Sequence, residues 1–150
     1  MVLYRLRQFY RMPRPDRGLL LLIAIMVPVI EIGLRVAGFK RICSCLRHVA
    51  KTTRLTENSA AEIERHRRLL FLFHQQLPFA GGCLARALTL WCLLQRKGID
   101  TDLRFGLRRD DGALAAHAWV EHQGQPLTID RQVHERYCAF AGSILSQSQI

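Results

Sequence analysis

No CxxC pair occurs in this chain, and its five cysteines (Cys43, Cys45, Cys83, Cys92 and Cys138) are odd in number and irregularly spaced. That pattern is not a disulfide framework. Cys43-Ser44-Cys45 has no second ligand pair with which to hold a structural zinc, so neither a metal nor another cofactor is expected. Reduced thiols fit a cytoplasmic protein. Acidic residues are scarce, 12 against 22 lysines and arginines, for a net charge of +10. A basic surface attracts nucleic acid, anionic lipid or acidic peptide. Aromatics are also scarce at 8%, and no basic run is paired with a stacking platform, so a nucleic-acid partner is not expected. No internal repeat is present. No apolar run reaches the ~20 residues that span a bilayer. Leu19 to Ile30 comes nearest, with Glu31 and Arg35 interrupting beyond it. A signal peptide would fit the basic flank before it, but no A-x-A-like cleavage site follows.

What is present is a hydrophobic content of 49% over 150 residues, enough for one domain with a real core. The N-terminal half reads as helical. Met1 to Arg17 is basic, with Leu3, Leu6 and Tyr10 suggesting a short amphipathic helix broken at Pro13 and Pro15. Leu19 to Ile30 fits a helix that faces the core or a partner, with a membrane surface as the alternative. Glu31 and Arg35 are spaced to pair on a helix. Val36 to Ala50 continues helically, with Phe39, Ile42, Leu46 and Val49 on one stripe. Lys51 to Ser59 is a polar loop, Thr56 a candidate N-cap, and Glu57 to Gln76 a further helix. The expected division is a helical region over 1–76 and a core domain over 77–150.

The chemistry is carried by Pro78 to Asp130. Pro78, Gly81 and Gly82 break any preceding helix, and Cys83 to Lys97 then reads as a helix stopped by Gly98. Its apolar residues surround nearly the whole circumference, which marks a buried helix. Cys83 therefore sits at the N-terminus of a central helix, where the dipole and free N–H groups favour thiolate. Leu103, Phe105 and Leu107 alternate with Arg104, Gly106 and Arg108, the period of a strand. Asp111-Gly112 is a hairpin turn signal. Leu114 to Glu121 and Pro126 to Asp130 read as second and third strands around Gln123-Gly124.

Those turns fix the register. With Gln123 and Gly124 as turn residues, His122 faces Gln125 and, counting outward, His117 faces Asp130. Opposed residues share a face with Cβ atoms ~5 Å apart, so the carboxylate can orient the imidazole. With Asp111-Gly112 as the first turn, Leu103 meets Val120, Phe105 meets Ala118 and Leu107 meets Ala116, all apolar and on one face. His117 falls opposite Gly106, and Trp119 shares its face. Cys83, His117 and Asp130 are thus the parts of a Cys-His-Asp nucleophilic site. Arg131 to Tyr137 reads as a further helical turn or two. The remaining histidines, His48, His66, His74, His122 and His134, are simplest as surface residues.

The run 83–98, CLARALTLWCLLQRKG, followed by FGLRRD and HAWVE, resembles the leader peptidases of lasso-peptide biosynthesis, which are transglutaminase-like cysteine peptidases. The resemblance covers roughly residues 78 to 130. It implies an α+β fold in which N-terminal helices precede a transglutaminase/papain-like core, with the cysteine-bearing helix packed on a small antiparallel sheet. It implies the triad Cys83, His117 and Asp130, and the removal of a leader from a ribosomally made precursor peptide. It further implies the stand-alone form, in which a separate small protein recognises the leader and a separate ligase forms the ring. Arg86 matches the family's Cys-Leu-x-Arg pattern. With Trp119 it is a candidate for contacting substrate, although an ion pair explains Arg86 equally well. An oxyanion donor is required; the Cys83 N–H and the side chain of Gln75 or Gln76 are candidates. A transglutaminase-like acyltransferase or amidase, or a non-catalytic scaffold on a membrane surface, are the competing readings.

Overall fold

The structure is a computed structural model that describes residues 12–50, 59–76, 81–110, 113–127 and 137–139. Among these, four helices come first: α1 Arg14–Val36, α2 Phe39–Ala50, α3 Ser59–Gln76 and α4 Cys83–Gln95. Strands β1 Asp102–Asp110, β2 Ala113–His122, β3 Gln125–Pro126 and β4 Cys138–Ala139 follow. They form one antiparallel sheet in the order β3-β2-β1-β4. The chain is α+β, with helices ahead of a small antiparallel sheet.

The prolines start a helix rather than break one. Pro13 immediately precedes α1 and Pro15 lies in its first turn, where a missing N–H and a fixed φ suit the helix. The break expected at Pro15 is corrected accordingly, while the short helix expected before Pro13 falls on residues 1–11, which lie outside the described ones. The helix also runs through Glu31 and Arg35, because Arg35 Nε and Nη2 donate to Glu31 Oε1 at 3.2 and 3.0 Å. At 23 residues, α1 is long and apolar enough to cross a bilayer by length and composition, which corrects the expectation of a run too short. One face of it is nonetheless core: Ile23, Val27 and Ile30 are buried. Asp16 is buried as well and accepts from Arg65 Nε at 2.6 Å and Arg68 Nη2 at 3.0 Å, tying α1 to α3.

Two other helical expectations change. The helix foreseen from Val36 to Ala50 is interrupted at Gly38, whose φ of +81° is open to glycine without a Cβ penalty. The N-cap foreseen at Thr56 lies outside the described residues. His66, foreseen at the surface, is buried in α3 and donates from Nδ1 to the Glu62 carbonyl at 2.7 Å. Burial holds its pKa below the ordinary value.

Helix α4 is the centre of the molecule. Ala85 and every residue from Ala87 to Leu94 are buried, as an all-round apolar helix requires. It ends at Gln95, two residues before the expected Lys97, with the Ile99 N–H closing onto the Leu94 carbonyl at 3.1 Å. One hydrophobic cluster joins Ile23, Leu46, Phe73, Leu88 and Val120. It draws on residues from both sides of the division expected at 76 and 77.

The sheet has the expected register, with Leu103↔Val120, Phe105↔Ala118, Leu107↔Ala116 and Gly106↔His117 paired. Leu103, Ala118 and Val120 join the core cluster with α4, so α4 packs on the apolar face, which the sequence left open. Gln123 and Gly124 have φ of 51° and 75°, the two left-handed residues of a type I′ hairpin. They set the pairs Glu121↔Pro126 and His122↔Gln125. The expected third strand continued to Asp130. Its described part is β3, and 128–130 lie outside the described residues, as do 131–136 of the expected C-terminal turn.

Candidate active site

Three elements hold Cys83 in place. It is the first residue of α4, and Gly82 before it is the extended N-cap. The Gly82 N–H donates to Glu31 Oε2 at 2.9 Å, so a carboxylate from α1 caps the approach to the nucleophile. That contact is the main reason the Glu31 pKa lies below the ordinary value. Gly81 turns the chain with a φ of +86°, pressed against Val27 of α1. The first intrahelical bond is Arg86 N–H to the Gly82 carbonyl at 3.2 Å. The N–H groups of Cys83, Leu84 and Ala85 therefore have no acceptor within the helix.

The Cys83 thiol is half-buried and titrates below its ordinary range. A hydrogen bond with the His117 side chain is the largest cause. Burial opposes it, while a hydrogen bond from the Ala118 N–H and the charges of His117 and Arg86 add to the lowering. Strand chemistry explains Ala118. Alternate residues of an antiparallel strand aim their N–H and C=O at the same neighbour. The Val120 carbonyl accepts from the Leu127 N–H at 2.8 Å, so Ala118 faces the same edge, past the described reach of β3. Its N–H is turned towards the sulfur.

His117 is held by aromatic packing. Its ring stacks with Trp119 at 6.2 Å and 20°, and with Tyr137 at 5.1 Å and 28°. Trp119 is fully buried. Its Nε1–H donates to Glu121 Oε1 at 2.7 Å, and Arg104 Nε donates to Glu121 Oε2 at 3.0 Å. Gly106 opposite leaves room, as its spacing implied, but the room is taken by Trp119 and Tyr137. A Cβ at Gly106 would lie 2.8 Å from Trp119 Cη2 and 2.9 Å from Tyr137 Cβ.

A cavity of about 210 Å³ adjoins the pair. Cys83, His117, Arg86 and Trp119 all line it, together with Leu70, Phe71, Leu90, Val120 and Leu127. His74, foreseen as a surface residue, lines it too and accepts a hydrogen bond from Arg86 Nη1 at its Nδ1. Burial, aided by the Arg86 charge, lowers the His74 pKa and favours this neutral acceptor form. Gln76 ends α3 in an exposed position and does not line the cavity. Asp130 lies outside the described residues. Tyr137, Glu31 and His74 escaped sequence reasoning because each reaches the site from a distant segment; only the Glu31–Arg35 spacing hinted at one of them. Among the described residues, no group of three His, Cys, Asp or Glu is placed to hold a metal.

A half-buried thiol at a helix N-terminus, hydrogen-bonded to an imidazole that lowers its pKa, is suited to attack on a carbonyl. The family model of the transglutaminase-like superfamily matches residues 26–141. The chain belongs to the transglutaminase-like superfamily. That superfamily is typically enzymatic, with cysteine peptidases and acyl transferases on one fold. The superfamily match begins inside α1 and takes in α2 and α3 as well as the sheet. No curated protein and no solved structure matches the chain.

Proposed function

We propose that this superfamily member is a cysteine peptidase that removes the leader from a ribosomally made lasso precursor peptide. The observation that carries the reading is the Cys83 thiol, held at the α4 N-terminus and lowered in pKa by its hydrogen bond with His117. His117 takes the thiol proton, and the sulfur attacks the carbonyl that ends the leader. The Cys83 N–H is the nearest candidate to stabilise the resulting oxyanion. The scissile C–N bond breaks as His117 returns the proton to the core peptide's nitrogen. The leader remains on Cys83 as a thioester, and the core leaves with a free amine. Water, deprotonated by His117, then releases the leader as a carboxylic acid and restores the thiol. Asp130 is the proposed third member, oriented on His117 by continuing the hairpin register. Arg86 and the apolar cavity receive substrate beside the nucleophile.

The proposed setting is the cytoplasm. A separate protein presents the leader there, and a ring-forming ligase takes up the freed amine. The test is mass spectrometry of a precursor peptide incubated with the protein and its leader-recognition partner. The expected products are a leader with a free carboxylate and a core with a free amine, both absent with Cys83→Ala. Added primary amine separates the competing reading: a leader amide formed in preference to the acid makes the protein an acyltransferase. Cleavage that persists at the normal rate in Cys83→Ala overturns both.

A further inference from the structure

We propose that α1 lies along an anionic membrane surface, with its outward face in the headgroup region. That face is apolar and continuous. Leu21, Ile25, Val29, Ile32 and Val36 are 53, 62, 60, 61 and 82% exposed. At about 100° per residue they fall within a stripe about 80° wide. Arg14 continues that stripe at its N-terminal end, and Arg17 and Arg35 fall along one border of it.

Charge decides what covers the stripe. The acidic residues of α1 are Asp16 and Glu31, and both are drawn into contacts within the protein. Asp16 is bound by Arg65 and Arg68, and Glu31 by Gly82 and Arg35. The outward face therefore presents apolar side chains bordered by arginines. Lys40 and Arg41, both exposed, follow just beyond it, on a chain of net charge +10. An apolar stripe flanked by arginine is the pattern of an interfacial helix on anionic lipid. The helix lies on the surface and does not cross it, because the opposite face is committed. Ile23, Val27 and Ile30 are core, and Glu31 caps the turn before Cys83. Crossing would pull that face out of the core and uncap the nucleophile.

The test is co-sedimentation of the full chain with vesicles of phosphatidylcholine alone and of phosphatidylcholine with phosphatidylglycerol. Binding about tenfold or more tighter to the anionic vesicles, weakening as salt rises, is expected for an arginine-bordered stripe. Ile25→Asp with Val29→Asp changes exposed positions only. It should lose the vesicle binding while keeping the unfolding midpoint and the Cys83 alkylation rate of the native chain. No vesicle binding by the native chain, or binding unchanged in the double variant, overturns the proposal. So does a dimer in sedimentation velocity that the double variant abolishes, which assigns the stripe to a second copy. Retention in membranes through carbonate washing overturns it in favour of a spanning helix.

Discussion

Replacing Gly81 by alanine tests whether α1 positions the nucleophile. Two costs are expected. The first is conformational: a φ of +86° penalises any Cβ by about 1–2 kcal/mol. The second is steric, since the new Cβ would overlap Cγ1 of Val27, a fully buried residue of α1. Overpacking of that kind costs about 1–3 kcal/mol. Gly124→Ala is the control, because its φ is +75° and nothing lies within 4 Å of its Cβ position. Urea unfolding with linear extrapolation should therefore show Gly81→Ala more destabilising than Gly124→Ala by about 1–3 kcal/mol. Adding Val27→Ala should recover part of the difference, a coupling of about 0.5 kcal/mol or more between touching residues. The site should register the same strain: Cys83 alkylation by iodoacetamide near neutral pH should slow in Gly81→Ala and not in Gly124→Ala. Equal destabilisation by the two alanines, or no coupling with Val27, would refute the reasoning.

Three further outcomes are expected. His117→Ala removes the main cause of the lowered Cys83 pKa, so the pH midpoint of Cys83 alkylation should move up, with the fold retained by circular dichroism. Asp130→Asn keeps an acceptor but loses the charge that favours the imidazolium; turnover should fall at least tenfold, about 1.4 kcal/mol of barrier, with little change in unfolding midpoint. Burial pushes the Cys43 thiol up to about 11. The folded state thus keeps a proton that the unfolded chain releases earlier, and stability should fall as pH rises from the ordinary thiol range through about 11. Cys43→Ala should flatten that part of the stability-against-pH curve.

Much of the sheet is legible in the residues alone, because hairpin turns convert spacing along the chain into pairing. Gln123-Gly124 needs two left-handed residues, and both adopt that conformation, so the pairs beside the turn follow by counting. The same arithmetic sets Gly106 opposite His117. The helices are legible as to kind and less so as to limits. Pro13 and Pro15 look like a break because proline both starts and stops helices, and only the direction of the chain beyond tells which. Gly38 is masked by apolar periodicity that carries on either side of it. At the site, the Cys83–His117 meeting follows from the chemistry required of it. The packing that secures it does not follow, because Glu31, His74 and Tyr137 are brought in by tertiary folding and only the Glu31–Arg35 spacing leaves a local pattern.

The cap on the nucleophile joins Glu31 to Gly82, 51 positions apart. Closing so long a loop has an entropic cost that local helix formation does not repay, so this contact belongs late in folding. Until Cys83 also meets His117, the main cause of its lowered pKa is missing, and none of the five thiols of the chain is singled out for ionisation. Folding itself then creates the difference between them. The alkylation rate of Cys83 in a refolding mixture would act as a clock for the meeting of Cys83 with His117.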